Sequence, residues 1–291
     1  MFGIFSLWST FNNVVFYLTL AVSLAGLVGN GLVLWHLGLH ITKGPFNVYL
    51  LHLAAADFLF LACQLGFSVA QMVQGSGSDN LGFAVTFLWF AAGLWLLAAL
   101  STDGCLTHML AVCSLASCRP KHTSTVLCVL VWGLTAPAVL LPAHACGLLR
   151  SSARLLTCLR YHVASITWLA TLAGAACGTN LVLFVWVTCC SLQRPFKLYR
   201  LVQSSGILLF FCRLPMVLYW SLRPLLNFLF PFFPPLAVLL ACVDSSCKPL
   251  LYFLVGRRPG TREPLRVVLN RALGEKAQLN LGGLSLPMSH M

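Results

Sequence analysis

Charge is what this sequence has least of. Only 8% of its 291 residues are Asp, Glu, Lys or Arg, and six acidic residues stand against 18 basic ones. A soluble globular domain carries about 25% charged residues, which cover its surface. A chain with 59% hydrophobic residues has too few charges to cover a surface that faces water. Lipid is therefore the expected solvent for most of the chain.

Several functional motifs are also absent. No CxxC pair and no HExxH motif occurs, which argues against a zinc site, and we expect no cofactor. The basic residues are scattered between apolar runs rather than clustered on a soluble module, which argues against nucleic-acid binding. The eight histidines are scattered too, without a nucleophile–base spacing, so an enzyme is the least favoured class of protein.

Seven apolar segments dominate the rest of the chain. Each is near the ~20 residues that a membrane-spanning helix needs, and short segments separate them. They are 14–39, 47–72, 83–110, 124–142, 162–189, 201–222 and 227–255. The first is too long for a signal peptide, so we expect it to be retained. The sequence predicts an all-α membrane protein, a seven-transmembrane helix bundle.

Basic residues are divided unequally between the two sets of connecting segments. One set and the C-terminal tail carry twelve: Lys43, Arg119, Lys121, Arg194, Lys197, Arg200, Arg257, Arg258, Arg262, Arg266, Arg271 and Lys276. The other set carries four: Arg150, Arg154, Arg160 and Arg223. Because basic loops stay in the cytoplasm, residues 1–13 are predicted to be extracellular, 14–255 to form the bundle, and 256–291 to form a cytoplasmic tail.

The tail contains one amphipathic stretch. Leu265, Val268, Leu269 and Leu273 fall on one face at helical spacing, with basic residues towards another face. A helix of this kind lies in the membrane interface against anionic lipid. We therefore expect a short amphipathic cytoplasmic helix after the seventh span.

Four charged residues lie inside the apolar segments: Asp57, Arg213, Asp244 and Lys248. Each would cost about 2.5–3.5 kcal/mol at the centre of a lipid-facing helix, so each is a functional hypothesis by default. Their charges sum to zero. Two interpretations are compatible with each other. The charges form structural pairs that hold the helices in register, and such pairs set the equilibrium between two conformations of the bundle.

Landmarks along nearly the whole chain resemble those of rhodopsin-like G-protein-coupled receptors. In order, they are Gly29-Asn30, Leu53-Ala54-Ala55-Ala56-Asp57, Trp132, Pro215 and Pro249-Leu250-Leu251-Tyr252. Each motif is weak alone, but five in register are a specific signal.

Other stretches are similar to the Mas-related receptors within that class. They are Lys43-Gly44-Pro45-Phe46, Leu100-Ser101-Thr102-Asp103-Gly104-Cys105-Leu106, Cys212-Arg213-Leu214-Pro215 in place of the usual Cys-Trp-x-Pro, and the amphipathic stretch. The resemblance implies a multi-pass receptor of the plasma membrane, with an extracellular ligand and a heterotrimeric G protein as partners.

The resemblance also implies a disulfide. Most rhodopsin-like receptors tie the top of span three to the second extracellular loop, but residues 75–82 contain no cysteine. Cys146 and Cys158 lie at either end of that loop, on the predicted oxidising side. The resemblance implies a bridge between them, from span four to span five; two free thiols are the alternative.

The predicted G-protein-facing residues are Asp103, Gly104 and Tyr252. One of them departs from the receptor pattern. The arginine that normally contacts the G protein at the foot of span three is replaced by Gly104. Glycine has no guanidinium to insert into a partner. Either coupling is weak, or another basic group substitutes: Arg119, Lys121 or Arg200.

Two further departures fall among the buried charges. Lys248 replaces the Asn of the span-seven motif, near the place where Asp57 would bind sodium in this class of receptor. Arg213 replaces the tryptophan of span six, a position that usually neighbours the one matching Asp244. We predict an Asp57–Lys248 pair without sodium dependence, and a second pair, Arg213–Asp244.

The ligand is the least determined feature. Positions that are acidic in relatives holding cationic peptides look like Pro142 and His162 here, and the outer segments carry four arginines with no acid except Asp79. That favours a neutral or anionic ligand over a basic one. A shallow pocket is one interpretation of the outer aromatic residues, and helix packing or interface anchoring is another. The candidate lining residues are Phe87, Phe90, His162, Tyr219, Trp220 and Phe233.

Three functions stay open. The first is a receptor, and the second is a signalling-poor scaffold or decoy, which Gly104 supports. The third is a transporter or channel, which the buried charges favour and the motif register opposes. A GxxxG motif at 174–178 in span five predicts either tight packing within the bundle, which is the default, or a receptor dimer.

Overall fold

Helices account for most of the described residues in the computed structural model of this chain. The structure describes residues 2–40, 45–74, 80–112, 122–148, 155–190 and 209–257, and beyond them residues 260, 263–264 and 267–269. The helices are α1 (Phe2–His40), α2 (Pro45–Gln74), α3 (Asn80–Val112), α4 (Thr123–Ala145), α5 (Leu155–Cys190), α6 (Leu214–Leu229) and α7 (Phe233–Gly256). A π-helical turn, Leu209–Arg213, leads directly into α6.

Among the described residues, six helices, all except α6, contain stretches long and apolar enough to cross a membrane. Helix α6 has 16 residues and gains one more turn from the π-helical segment before it. In lipid, a helix satisfies its backbone hydrogen bonds internally, which explains why long apolar runs become helices here. The predicted all-α membrane fold is confirmed.

Helix α3 is the centre of the bundle. In its most apolar stretch 72% of residues are buried, against 17% in α5, which lies at the periphery. Helix α3 packs on α2, α4 and α5, while α1 packs between α2 and α7. This arrangement brings α2, α3, α7 and the start of α6 together around one interior volume, which holds all four buried charges.

Two features bend the helices near that volume. The wide π-helical turn lies immediately before Leu214 and Pro215, whose ring would clash with the carbonyl one turn earlier in a regular helix. The turn places Arg213 in the interior, where its side chain is 1% exposed. Helix α7 likewise contains Pro249, one residue after Lys248.

Helix α1 begins earlier than the apolar run that predicted it. The run starts at residue 14, but the helix starts at Phe2. Aromatic contacts account for the extension: the Trp8 and Phe11 rings lie 4.6 and 5.1 Å from the Phe232 ring, edge to face. The N-terminal end of α1 is therefore packed against the connection between α6 and α7.

Part of the predicted amphipathic helix is described. Residues 267–269 are helical, and the Val268 and Leu269 side chains are buried while Val267 faces outward. Gly256, at the end of α7, lies so close to Val268 that a methyl group there would overlap the Val268 carbonyl oxygen. The short helical turn thus packs on the C-terminal end of α7.

Candidate functional site

The four buried charges form a closed ring. Arg213 Nη2 lies 2.9 Å from Asp57 Oδ1, and Arg213 Nε lies 2.5 Å from Asp244 Oδ2. Lys248 Nζ lies 2.6 Å from Asp57 Oδ2 and 3.0 Å from Asp244 Oδ2. Each acid therefore contacts both bases. We call Asp57, Arg213, Asp244 and Lys248 the charge ring; each is at most 2% exposed.

The charge ring contains both pairs that the sequence suggested, but it does not keep them separate. The contacts of Arg213 with Asp57 and of Lys248 with Asp244 were not predicted. One of them could have been, because Asp244 and Lys248 are four residues apart and so share a face of α7. The contact between Arg213 and Asp57 joins residues 156 positions apart, and no local pattern indicates it.

Helix α1 supports the charge ring through α7. Ser245 Oγ donates a hydrogen bond of 2.9 Å to Asp57 Oδ1. Asn30 Nδ2 donates to the Ser245 carbonyl oxygen at 3.0 Å and to the Gly26 carbonyl oxygen at 2.9 Å. Protein donors therefore contact both carboxylate oxygens of Asp57. Neither oxygen is left free for a sodium ion.

Helix α3 makes room for the guanidinium of Arg213. A methyl group on Gly93 would lie 3.2 Å from both terminal nitrogens of Arg213, closer than normal packing allows. One turn away, the Phe90 ring centroid lies 5.3 Å from the guanidinium carbon, within cation–π range. The role of Gly93 was missed, although an isolated glycine inside an apolar helix is often a sign of close packing.

The electrostatics of the charge ring explain how four ions can be buried. Two positive and two negative groups cancel, and the ion contacts offset part of the cost of removing each group from water. The balance is not complete, since Arg213 Nη1 and Asp244 Oδ1 have no hydrogen-bond partner. The charge ring therefore links α2, α7 and the turn that leads into α6 in one arrangement. A movement of α6 would separate these ions and leave buried charges unpaired.

The candidate pocket residues form a packed aromatic cluster. Phe87 and Trp220 stack almost parallel, with centroids 4.2 Å apart and an angle of 5° between the rings. Phe90 lies 5.6 Å from Phe87, and Phe83 lies 5.1 Å from Tyr219 and 5.8 Å from Trp220. These rings fill the space between α3 and α6, so they stack on one another rather than surround an open cavity.

The remaining candidate residues lie around this cluster. His162 on α5 lies 6.0 Å from the Trp220 ring, and its Nε2 lies 3.0 Å from the Ser221 carbonyl oxygen. Phe233 is half-buried at the start of α7 and packs against the edge of the core. Asp79 and Arg154 lie outside the described residues, as does Arg150. Their contribution to ligand binding stays a prediction.

A disulfide joins Cys146, directly after α4, to Cys158 in the first turn of α5, with the two Cα atoms 4.7 Å apart. The intervening loop spans 12 positions. The disulfide thus holds the C-terminal end of α4 and the N-terminal end of α5 together.

The predicted G-protein-facing residues lie towards the C-terminal ends of α3 and α7. Asp103 and Gly104 are half-buried, and a side chain at Gly104 would meet no atom within 4 Å. Tyr252 is buried on α7. The basic groups that we considered as substitutes for the missing arginine, Arg119, Lys121 and Arg200, lie outside the described residues.

The GxxxG motif of α5 corrects one prediction. Gly174 and Gly178 face open space, because a methyl group on either would meet no atom within 4 Å. Tight packing within the bundle was therefore the wrong default for this motif, and the peripheral position of α5 is the reason. Pairing with a second copy of the chain stays a prediction.

In the part of the chain that the structure describes, six membrane-length helices and the shorter α6 surround a buried polar centre. With the landmark residues in register, this fold is that of a G-protein-coupled receptor. Known proteins narrow the class further, although no protein-family model matches the sequence. The chain is 64% identical over 288 residues to Mas-related G-protein coupled receptor member G of Mus musculus, covering 99% of both chains. It is also 64% identical over 288 residues to member G of Homo sapiens, again with 99% coverage of both.

A more distant relative agrees. Mas-related G-protein coupled receptor member E of Homo sapiens is 36% identical over 277 residues, which cover 92% of this chain and 88% of the relative. The chain belongs to the Mas-related G-protein-coupled receptor family. The resemblance drawn from the motifs is thus confirmed, and the chain is a multi-pass membrane receptor rather than an enzyme.

Proposed function

We propose that this receptor transmits the binding of an extracellular ligand to a heterotrimeric G protein at the plasma membrane. The observation that carries the proposal is the charge ring. It joins α2, α6 and α7 through four ion contacts, and a receptor of this class signals by moving helices relative to one another. A ligand shifts such an equilibrium only by binding one arrangement better than the other. The charge ring then determines the free energy of the second helix arrangement relative to the first.

The proposed ligand is neutral or anionic. Arg160 and Arg223 lie at the outer end of the bundle, and the described acids Asp57, Asp103, Asp244 and Glu263 lie elsewhere. A cationic ligand would find no opposite charge among the described residues of that end. The aromatic cluster beneath Arg223 offers apolar contact area.

A second function is favoured by one observation, the open space beside Gly104. A side chain at this position would meet no atom within 4 Å, so glycine leaves the place of the missing arginine side chain empty. The second proposal is a signalling-poor scaffold or decoy that holds a ligand or another receptor without activating a G protein.

One experiment separates the two proposals. Four proteins are expressed at equal surface levels: wild type, Gly104→Arg, Arg213→Met and the variant that combines both substitutions. The basal activation of each G-protein class is then measured. Gly104→Ala is the matched control, since it adds a side chain into the same space without a charge. We expect Arg213→Met to raise basal activation above wild type, because it opens the charge ring between α6 and α7.

The outcomes are distinct. Activation by Arg213→Met without Gly104→Arg supports transduction by the natural sequence. Activation only in variants that contain Gly104→Arg supports the decoy. Silence of all four proteins at the cell surface would contradict transduction.

A further inference from the structure

Two hydrogen-bond donors at the outer end of α6 are buried without a partner. They are Nε1 of Trp220 and Nη1 of Arg223. Three positions separate the two residues, and the helix is kinked between them at Leu222, whose φ of -117° and ψ of 21° are not helical. Buried polar groups are nearly always hydrogen-bonded in folded proteins, so each of these unpaired donors needs an explanation.

The same aromatic ring lies under both donors. The Arg223 guanidinium carbon lies 4.4 Å from the Phe83 ring centroid, and the Trp220 ring stacks on Phe83 at 5.8 Å. Arg223 Nη2 donates a hydrogen bond of 2.8 Å to Asn80 Oδ1, which fixes the guanidinium over the ring. The first turn of α3 therefore holds Arg223 in place and leaves Nη1 unused.

The chemistry of the missing partner follows from these groups. Both orphan atoms donate, one belongs to a permanent cation, and the surroundings are aromatic. A planar group with two acceptor oxygens and a negative charge matches such a pair of donors, since charge-assisted hydrogen bonds to a carboxylate are strong and directional. The Phe83 and Tyr219 rings, 5.1 Å apart, would contact the apolar part of the same molecule.

We propose that Arg223 and Trp220 form the recognition site for the carboxylate of an amphipathic organic acid. The carboxylate receives hydrogen bonds from Arg223 Nη1 and Trp220 Nε1. Because the aromatic rings are packed on one another without a ligand, the outer rings move apart on binding and then contact its apolar body. The inference rests on the proposed function, because it places the ligand at the outer end of the bundle. It goes further by fixing the charge of the ligand and the two atoms that bind it.

Binding is tested without a G protein. The full chain is purified in lipid nanodiscs, and its unfolding midpoint is measured against the concentration of phenylbutyrate and naphthylacetate. The primary amide of each acid is the matched control, because it keeps the apolar body and removes the negative charge. We expect the acids to raise the midpoint in a saturable way and the amides to leave it unchanged.

Variants locate the site. Loss of a charge-assisted hydrogen bond predicts that Arg223→Gln weakens the apparent affinity for the acids by at least about tenfold. Trp220→Phe keeps the ring and removes the N–H, so a loss of about threefold to tenfold is expected. Arg160→Gln is the matched control, since it removes another outer arginine, and it should bind like wild type. Arg223→Lys keeps the charge and replaces Arg223→Gln in the test if that variant does not fold. Its affinity for the acids is expected to lie between those of wild type and Arg223→Gln.

Several outcomes would overturn the proposal. They are no shift with either acid, equal shifts with acid and amide, and undiminished binding in Arg223→Gln or Arg223→Lys. Naphthalenesulfonate distinguishes the kind of anion: binding as tight as that of naphthylacetate would overturn the choice of a carboxylate. A failed binding test leaves the G-protein experiment unaffected, and a receptor without G-protein activation still binds the acids if this inference is right.

Discussion

At the scale of single residues, Lys248 acts as a cation that is built into the chain. Its ammonium group contacts one oxygen of Asp57 and one of Asp244, so it fills the place that a mobile cation would need. Gly93 and Ser245 complete this arrangement, one by making space and the other by donating to Asp57. The charge ring is thus neutral without any ion from solution.

Removing the Lys248 charge should create a sodium response. Lys248→Met leaves two carboxylates opposite one guanidinium, and breaking a buried ion network in this way typically costs about 3–5 kcal/mol. We expect a lower unfolding midpoint, and a rise of that midpoint when sodium chloride replaces choline chloride. The wild-type midpoint should be the same in both salts.

The control for this prediction restores neutrality. In Asp57→Asn combined with Lys248→Met, one charge of each sign is gone, so the sodium response should disappear and part of the stability should return. A wild-type protein stabilised by sodium as strongly as Lys248→Met would contradict the prediction.

At the scale of helices, the disulfide compensates for the weak packing of α5. Only 17% of the most apolar stretch of α5 is buried, and its outward face includes Gly174 and Gly178. The Cys146–Cys158 bond ties the outer end of this helix to α4. A short covalent loop reduces the conformational entropy of the unfolded chain, which stabilises the folded state by about 3 kcal/mol for a loop of this size.

Loss of this bond should be measurable as lower stability. In the double variant Cys146→Ala and Cys158→Ala, the free energy of unfolding is expected to fall by about 3 kcal/mol. A reductant should lower the wild-type unfolding midpoint and leave that of the double variant unchanged. Cys105→Ala, which removes a free thiol elsewhere, is the control and should respond to reductant like wild type. A wild-type midpoint that is insensitive to complete reduction would contradict this role.

At the scale of the whole molecule, the distribution of basic residues predicts how the bundle sits in the membrane. Twelve lysines and arginines belong to one side and its tail, against four on the other. Basic segments near membrane spans are retained in the cytoplasm. The disulfide lies at the opposite end of the bundle, which fits an oxidising exterior.

Terminal tags test this orientation. An epitope at the N-terminus should be stained by antibody on intact cells, and one at the C-terminus only after the membrane is permeabilised. The opposite staining pattern would contradict the predicted topology and would place the Arg223 site in the cytoplasm.

The sequence by itself determined the number of spans, the receptor family and the residues of the charge ring. Local signals were enough for these, because an apolar run near 20 residues predicts a membrane helix and a charge inside it cannot face lipid cheaply. The resemblance to the family, rather than a local signal, identified Cys146 and Cys158 as the cysteines to pair.

Only the tertiary structure decided how these residues meet. The contact of Arg213 with Asp57, the space at Gly93 and the outward direction of the GxxxG motif all depend on which helices become neighbours. Trp220 and Arg223 likewise gain meaning only once α3 places Phe83 and Asn80 beside them. Helix packing joins residues more than a hundred positions apart, and no periodicity within one apolar segment encodes which partner helix its faces will contact.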